Sequence, residues 1–177
     1  MKLSIEDISR ISQNTGFREE ILEKAIHLIT LLNGLNSHPQ LKGKLVLKGG
    51  TALNLFTFQI PRLSVDIDLN YVGSLDREGM LEDRPKVEQA MQAVFSREGF
   101  NVRRMPGEHA GGKWILTYQS HYRQSGVLEV DLNFMLRVPL SEVDRVAKSP
   151  FVAFCSTENE KCHFRFPYRS MTYIVGH

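Results

Sequence analysis

Apolar positions change their spacing at definite points along the chain, and each change predicts an element. Over Thr15–Asn36, Phe17, Ile21, Leu22, Ala25, Ile26, Leu28, Ile29 and Leu32 recur at helical spacing, with Thr15 placed to cap the helix. Leu3–Ile11 carries a shorter version of the pattern behind Ser4, and Asn36-Ser37-His38-Pro39 interrupts it. Leu45-Val46-Leu47 then predicts a short strand that ends in Gly49-Gly50-Thr51, followed by a short helix over Ala52–Phe56. Val65–Tyr71 alternates apolar and polar residues, as a half-buried strand does. Pro85–Glu98 predicts an amphipathic helix with Pro85 at its start. Further strands are predicted over Asn101–Arg104, Lys113–Gln119 and Val127–Phe134, with weaker strand-like pieces at Phe151–Phe154 and His163–Phe166. Helices and strands interleaved around one strand-to-helix turn imply an α/β (α+β) domain, a mixed β-sheet flanked by helices.

Composition narrows the class. The 177 residues are 42% hydrophobic and 24% charged, which excludes a disordered or collagen-like chain. A net charge of +2 announces no strong polyelectrolyte field. Charge is uneven along the chain all the same: Arg97–Gly126 has five Lys/Arg against two acids, and Asp66–Glu88 has seven acids against three bases. No stretch approaches the roughly 18 apolar residues of a membrane span, and MKLSIEDISR places two acids where a signal peptide needs apolar residues. Two cysteines, Cys155 and Cys162, are too few for a disulfide framework. The expectation is a soluble, reduced, cytoplasmic protein with no membrane partner.

The acidic pair Asp66 and Asp68 carries the first chemistry. Residues two apart on a strand project from one face, so both carboxylates point to one spot while Val65, Ile67 and Leu69 face the core. Carboxylates held that close repel one another unless a cation sits between them, and a hard ion such as Mg²⁺ prefers oxygen ligands. Two solvated aspartates on an edge strand would give the same letters. A third acid, Asp131 in Leu128–Phe134, changes the picture if its strand pairs beside Val65–Tyr71. Glu129, on the same face, meets the spacing equally well. Three carboxylates on adjacent strands suit two metal ions that clamp a phosphoryl transfer. Upstream, Lys48-Gly49-Gly50-Thr51 sits between strand and helix, where glycines admit a ligand close to the backbone and free amides face phosphate. It is not a Walker A loop, since its lysine precedes the glycines.

The segments LKGGTALNLF, PRLSVDIDLNY and LEVDLNF, in that order, resemble the AbiEii/AbiGii nucleotidyltransferase toxin family, whose fold is shared with DNA polymerase β. The resemblance spans roughly residues 40 to 140. It implies a nucleotidyltransferase domain over residues 41–177, behind an N-terminal helical segment, residues 1–40, packed on the core. It also implies that Asp66, Asp68 and Asp131 bind two Mg²⁺ ions, with Asp131 holding the ion that activates the acceptor hydroxyl. Gly50 and Thr51 would contact the β- and γ-phosphates of a nucleoside triphosphate beside Gly49. Lys48 and Arg62 are charge partners for the phosphates, or a surface lysine and a structural ion pair; Ser64 bonds a phosphate oxygen or the turn itself. The setting it implies is the toxin of a toxin–antitoxin or abortive-infection (phage-defence) pair. Its partners would be an acceptor RNA such as transfer RNA and a cognate antitoxin protein. Family members continue into a helical region that this chain, ending at His177, does not carry. The alternative expectation is therefore a truncated, non-catalytic remnant that binds nucleotide or a partner without turnover.

Other residues add less. Cys155, Cys162 and His163 match no common zinc spacing, His109 lies in a Gly-rich connection, and Trp114 is expected to pack rather than stack on a base.

Overall fold

The computed structural model describes residues 4–51, 64–106 and 111–137. Helix α1, Ile5–Thr15, opens with a capping box in which Ser4 and Asp7 satisfy each other's backbone amides. It ends at Gly16, whose φ of 72° is the left-handed stop that glycine adopts cheaply. Thr15 is therefore the last residue of α1, not the cap of the next helix, and its hydroxyl donates back to the Ile11 carbonyl at 2.7 Å. Helix α2, Glu19–Ser37, starts at Arg18 without a side-chain cap, and Glu19 and Glu20 in its first turn complement the helix dipole.

Helix α3, Arg77–Arg97, also departs from expectation: it begins at Asp76, which accepts from the Gly79 amide at 2.7 Å, two turns ahead of Pro85. Pro85 lies inside the helix, where its ring nitrogen cannot donate to the Leu81 carbonyl. The helix persists because Met80, Val87, Ala90, Met91, Val94 and Phe95 are buried on both sides of that gap. Tertiary burial outweighs the missing bond.

The strands are β1 (Leu45–Lys48), β2 (Ile67–Tyr71), β3 (Asn101–Arg104), β4 (Gly111–Tyr118) and β5 (Gly126–Asn133), in the order β1-β2-β5-β4-β3. Only β2 and β5 run parallel; the other neighbours are antiparallel. The sheet is mixed, as expected. One face carries Leu47, Ile67, Leu69, Tyr71, Leu128, Val130, Leu132, Trp114 and Leu116, which join Leu28, Leu31, Leu32 and Leu35 of α2 and the apolar side of α3 in one core. Trp114 is 1% exposed, meets Phe95 edge-on at 5.9 Å, and is the packing residue expected of it. A smaller cluster, Ile8, Ile11 and Leu22, fixes α1 to α2.

Polar ties connect these layers. Asp83 of α3 accepts from Lys44 Nζ and from the Tyr71 hydroxyl, each at 2.7 Å, and both bonds hold its carboxyl below the usual range. Glu23 of α2, 3% exposed, accepts from Ser120 Oγ at 2.5 Å and the His121 amide at 2.8 Å, anchoring the β4–β5 connection. Among the described residues no helix is long and apolar enough to cross a membrane. The helix expected at 52–56, the strand-like pieces at 151–154 and 163–166, and Arg62, His109, Cys155, Cys162 and His163 lie outside the described residues.

Candidate active site

The sheet has two faces of opposite character, and the polar one is dictated by register. Lys48 pairs with Asp68, Asp68 with Asp131, and Asp131 with Lys113, so four side chains from β1, β2, β5 and β4 form one transverse row. Adjacent strands stand about 4.8 Å apart, which makes each member of the row the next one's neighbour. The order of charges is plus, minus, minus, plus. Alternation in each strand sends Leu47, Leu69, Leu132 and Trp114 to the core and leaves this row on the other face.

Asp68 and Asp131 thus lie side by side on parallel strands. Burial pushes the Asp68 carboxyl up; Lys48 opposes that rise, while Asp131 and Asp66 add to it. Asp66 stands one residue ahead of β2, because the strand starts at Ile67 rather than Val65, and it is exposed. Its charge is felt by Asp68 without sharing a strand with it. Glu129 and Asp131, equivalent by spacing, are separated by geometry. Asp131 is in register with Asp68, whereas Glu129 holds Lys113 Nζ at 2.7 Å. The same ammonium is 3.4 Å from Asp131 Oδ2. Glu129 is drawn down and Lys113 drawn up chiefly by the bond between them.

The glycine turn abuts this row. Gly49 has φ of 75°, and a Cβ built there would stand 2.5 Å from Asp68 Oδ2. The left-handed backbone favours glycine here, and a side chain would in addition displace the Asp68 carboxylate. Gly50 has no positive φ, and a Cβ there would stand 3.1 Å from Ser64 Oγ, a tight contact to which the serine would have to yield. Residues 49–51 enter a helical turn, whose first amides have no partner within the turn itself. Thr51 is 1% exposed, and its hydroxyl lies 2.6 Å from the Asp66 carbonyl, to which it donates, and 3.2 Å from Ser64 Oγ. That bond fixes the loop against the start of β2, a tie that no spacing in the sequence announces.

The oxygen donors fit a hard divalent ion in kind: two carboxylates on neighbouring strands, with a third at the strand entrance. Among the described residues, no three His, Cys, Asp or Glu side chains converge to hold one. Lysines flank the acids: Lys48 is in register with Asp68 and opposes the rise of its carboxyl, and Lys113 Nζ lies 3.4 Å from Asp131 Oδ2. In the sequence Lys113 contributes only to regional charge. The alternation Lys113-Trp114-Ile115 marks its face, but its pairing with Asp131 needs the β4–β5 register.

Residues 30–167 match the family described as nucleotidyl transferase AbiEii toxin, type IV toxin–antitoxin system. The fold is similar to that of MenT4, a nucleotidyltransferase toxin from Mycobacterium tuberculosis H37Rv. The TM-score is 0.55 at 19% sequence identity, covering 99% of this chain and 55% of that one. The chain thus spans about half the length of the solved structure it matches. No curated protein sequence matches it.

Proposed function

The chain belongs to the AbiEii nucleotidyltransferase toxin family, and on that premise we propose that it is a Mg²⁺-dependent nucleotidyltransferase. It moves a nucleoside monophosphate from a nucleoside triphosphate to an acceptor hydroxyl on RNA, transfer RNA foremost. Family membership supports a toxin whose partner is a cognate antitoxin protein and whose setting is the bacterial cytoplasm.

The observation that carries this reading is the register of Asp68 with Asp131 beside the backbone of Gly49. Asp66, Asp68 and Asp131 are the residues to hold two Mg²⁺ ions, which when bound neutralise phosphate charge and ease loss of the acceptor proton. The turn at 49–51 takes the triphosphate: glycine keeps its surface free of side chains, and its amides face the oxygens. Lys48 adds positive charge there, Arg62 is the second phosphate partner that the family motif implies, and Ser64 supports the turn next to Gly50. The acceptor oxygen forms a bond to the α-phosphorus while the bond to the β-phosphate oxygen breaks, releasing pyrophosphate. These groups position and neutralise, without a covalent intermediate.

Incubation with each α-labelled nucleoside triphosphate, Mg²⁺ and total RNA tests the reading. Label should enter RNA with wild-type protein and fall by about a hundredfold or more with Asp68→Asn or Asp131→Asn. Undiminished labelling by those two variants would overturn it.

A further inference from the structure

Lys113 is unexplained by the reaction. It lies on β4, outside the glycine turn and the three acids, yet it ends the transverse row and touches two carboxylates. One is Asp131, at 3.4 Å, the acid to which the acceptor-side ion is assigned; the other is Glu129, at 2.7 Å, which shares the face but not the register with Asp68. Both acids are roughly half exposed, as is Lys113 itself. A surface pair of this kind adds little to folding stability. Stability is therefore a poor reason for a three-membered arrangement in which one cation is shared between a functional and a non-functional carboxylate.

Charge bookkeeping gives a better one. An ammonium beside Asp131 and a divalent ion on Asp131 repel each other, so the lysine opposes entry of the ion. Glu129 offsets this by holding the ammonium two residues along β5 from Asp131, where its charge is matched by a carboxylate outside the Asp68–Asp131 pair. We infer that Lys113 is a counter-ion shared by Glu129, at 2.7 Å, and Asp131, at 3.4 Å, and that Glu129 retains it when a divalent ion enters and Asp131 gives it up. In this arrangement Lys113 and Glu129 are positioning residues. They set how readily the acid pair accepts an ion and keep two adjacent carboxylates from repelling each other when no ion is bound. The inference rests on the carboxylate reading above and deepens it.

The test is binding of Mn²⁺ alone to the full 177-residue chain, read from the free-ion signal in electron paramagnetic resonance. Lys113→Met should bind Mn²⁺ about tenfold more tightly, since one nearby positive charge is gone. Its melting temperature without ion should not rise. Glu129→Gln should bind several-fold more weakly than wild type, because Lys113 is left with Asp131 as its only partner. A double-mutant cycle separates relay from general field. If Glu129 acts through Lys113, the double variant Lys113→Met/Glu129→Gln binds like Lys113→Met. Weakening by Glu129→Gln of equal size in both backgrounds overturns the relay, as does a Lys113→Met variant that binds no more tightly than wild type. If neither wild type nor Lys113→Met takes up Mn²⁺, the carboxylate site itself falls and this inference with it. In the other failures the site stands.

Discussion

At the scale of single residues, the two adjacent glycines do different work. Gly49 combines a φ of 75° with a Cβ position 2.5 Å from Asp68 Oδ2, whereas a Cβ on Gly50 would meet Ser64, at 3.1 Å from its Oγ and 3.4 Å from its Cβ. Gly49→Ala should therefore cost about 1–2 kcal/mol from the left-handed backbone alone and push Asp68 out of its place. Gly50→Ala should change stability by about 0.5 kcal/mol or less. Urea unfolding of the two variants decides it, and equal losses would show that neither the left-handed backbone nor the approach to Asp68 sets Gly49 apart. In the sequence the pair stands as one motif, because letters do not distinguish a glycine needed for conformation from one that leaves room for a ligand.

At the scale of elements, the contact between α2 and the β4–β5 connection makes stability sensitive to pH. His27 of α2 packs its ring 4.0 Å from that of Tyr118. Burial holds His27 below the ordinary imidazole range, with Glu23 opposing the effect and His121 adding to it. The unfolded chain thus takes up a proton that the folded one refuses. His27 contributes its full stability above about pH 6.5, and that contribution is lost as pH falls through the lower folded value. Between pH 7.5 and 5.5 the urea midpoint should drop, and in His27→Gln it should drop less. A variant with the wild-type slope would place the titration elsewhere. None of this was legible beforehand: Glu23, His27, Ser120 and His121 look like ordinary surface residues until α2 is laid against the hairpin.

At the scale of the whole molecule, one core joins α2, α3 and the sheet, while α1 is attached through the smaller cluster of Ile8, Ile11 and Leu22, against which Phe17, Ile26 and Tyr122 pack, and through the Ser9–Glu19 hydrogen bond. Cooperative units of unequal stability follow from unequal burial. In native-state hydrogen exchange, α1 amides should open with a lower free energy than those of Val130 and Leu132 in β5. Identical opening energies would make α1 part of the main unit. Period-two alternation in β2 and β5 puts aliphatic residues inward and acids outward whatever the strands pair with, so the faces of those strands are legible in the sequence. It also carried the family, through three segments in order. It could not end α1 at Gly16 or carry α3 past Pro85, since both depend on backbone freedom and burial that only packing supplies. Nor could it choose between Asp131 and Glu129. Both lie on one face of one strand, and only the parallel register of β5 against β2 sets Asp131 beside Asp68 and leaves Glu129 to Lys113.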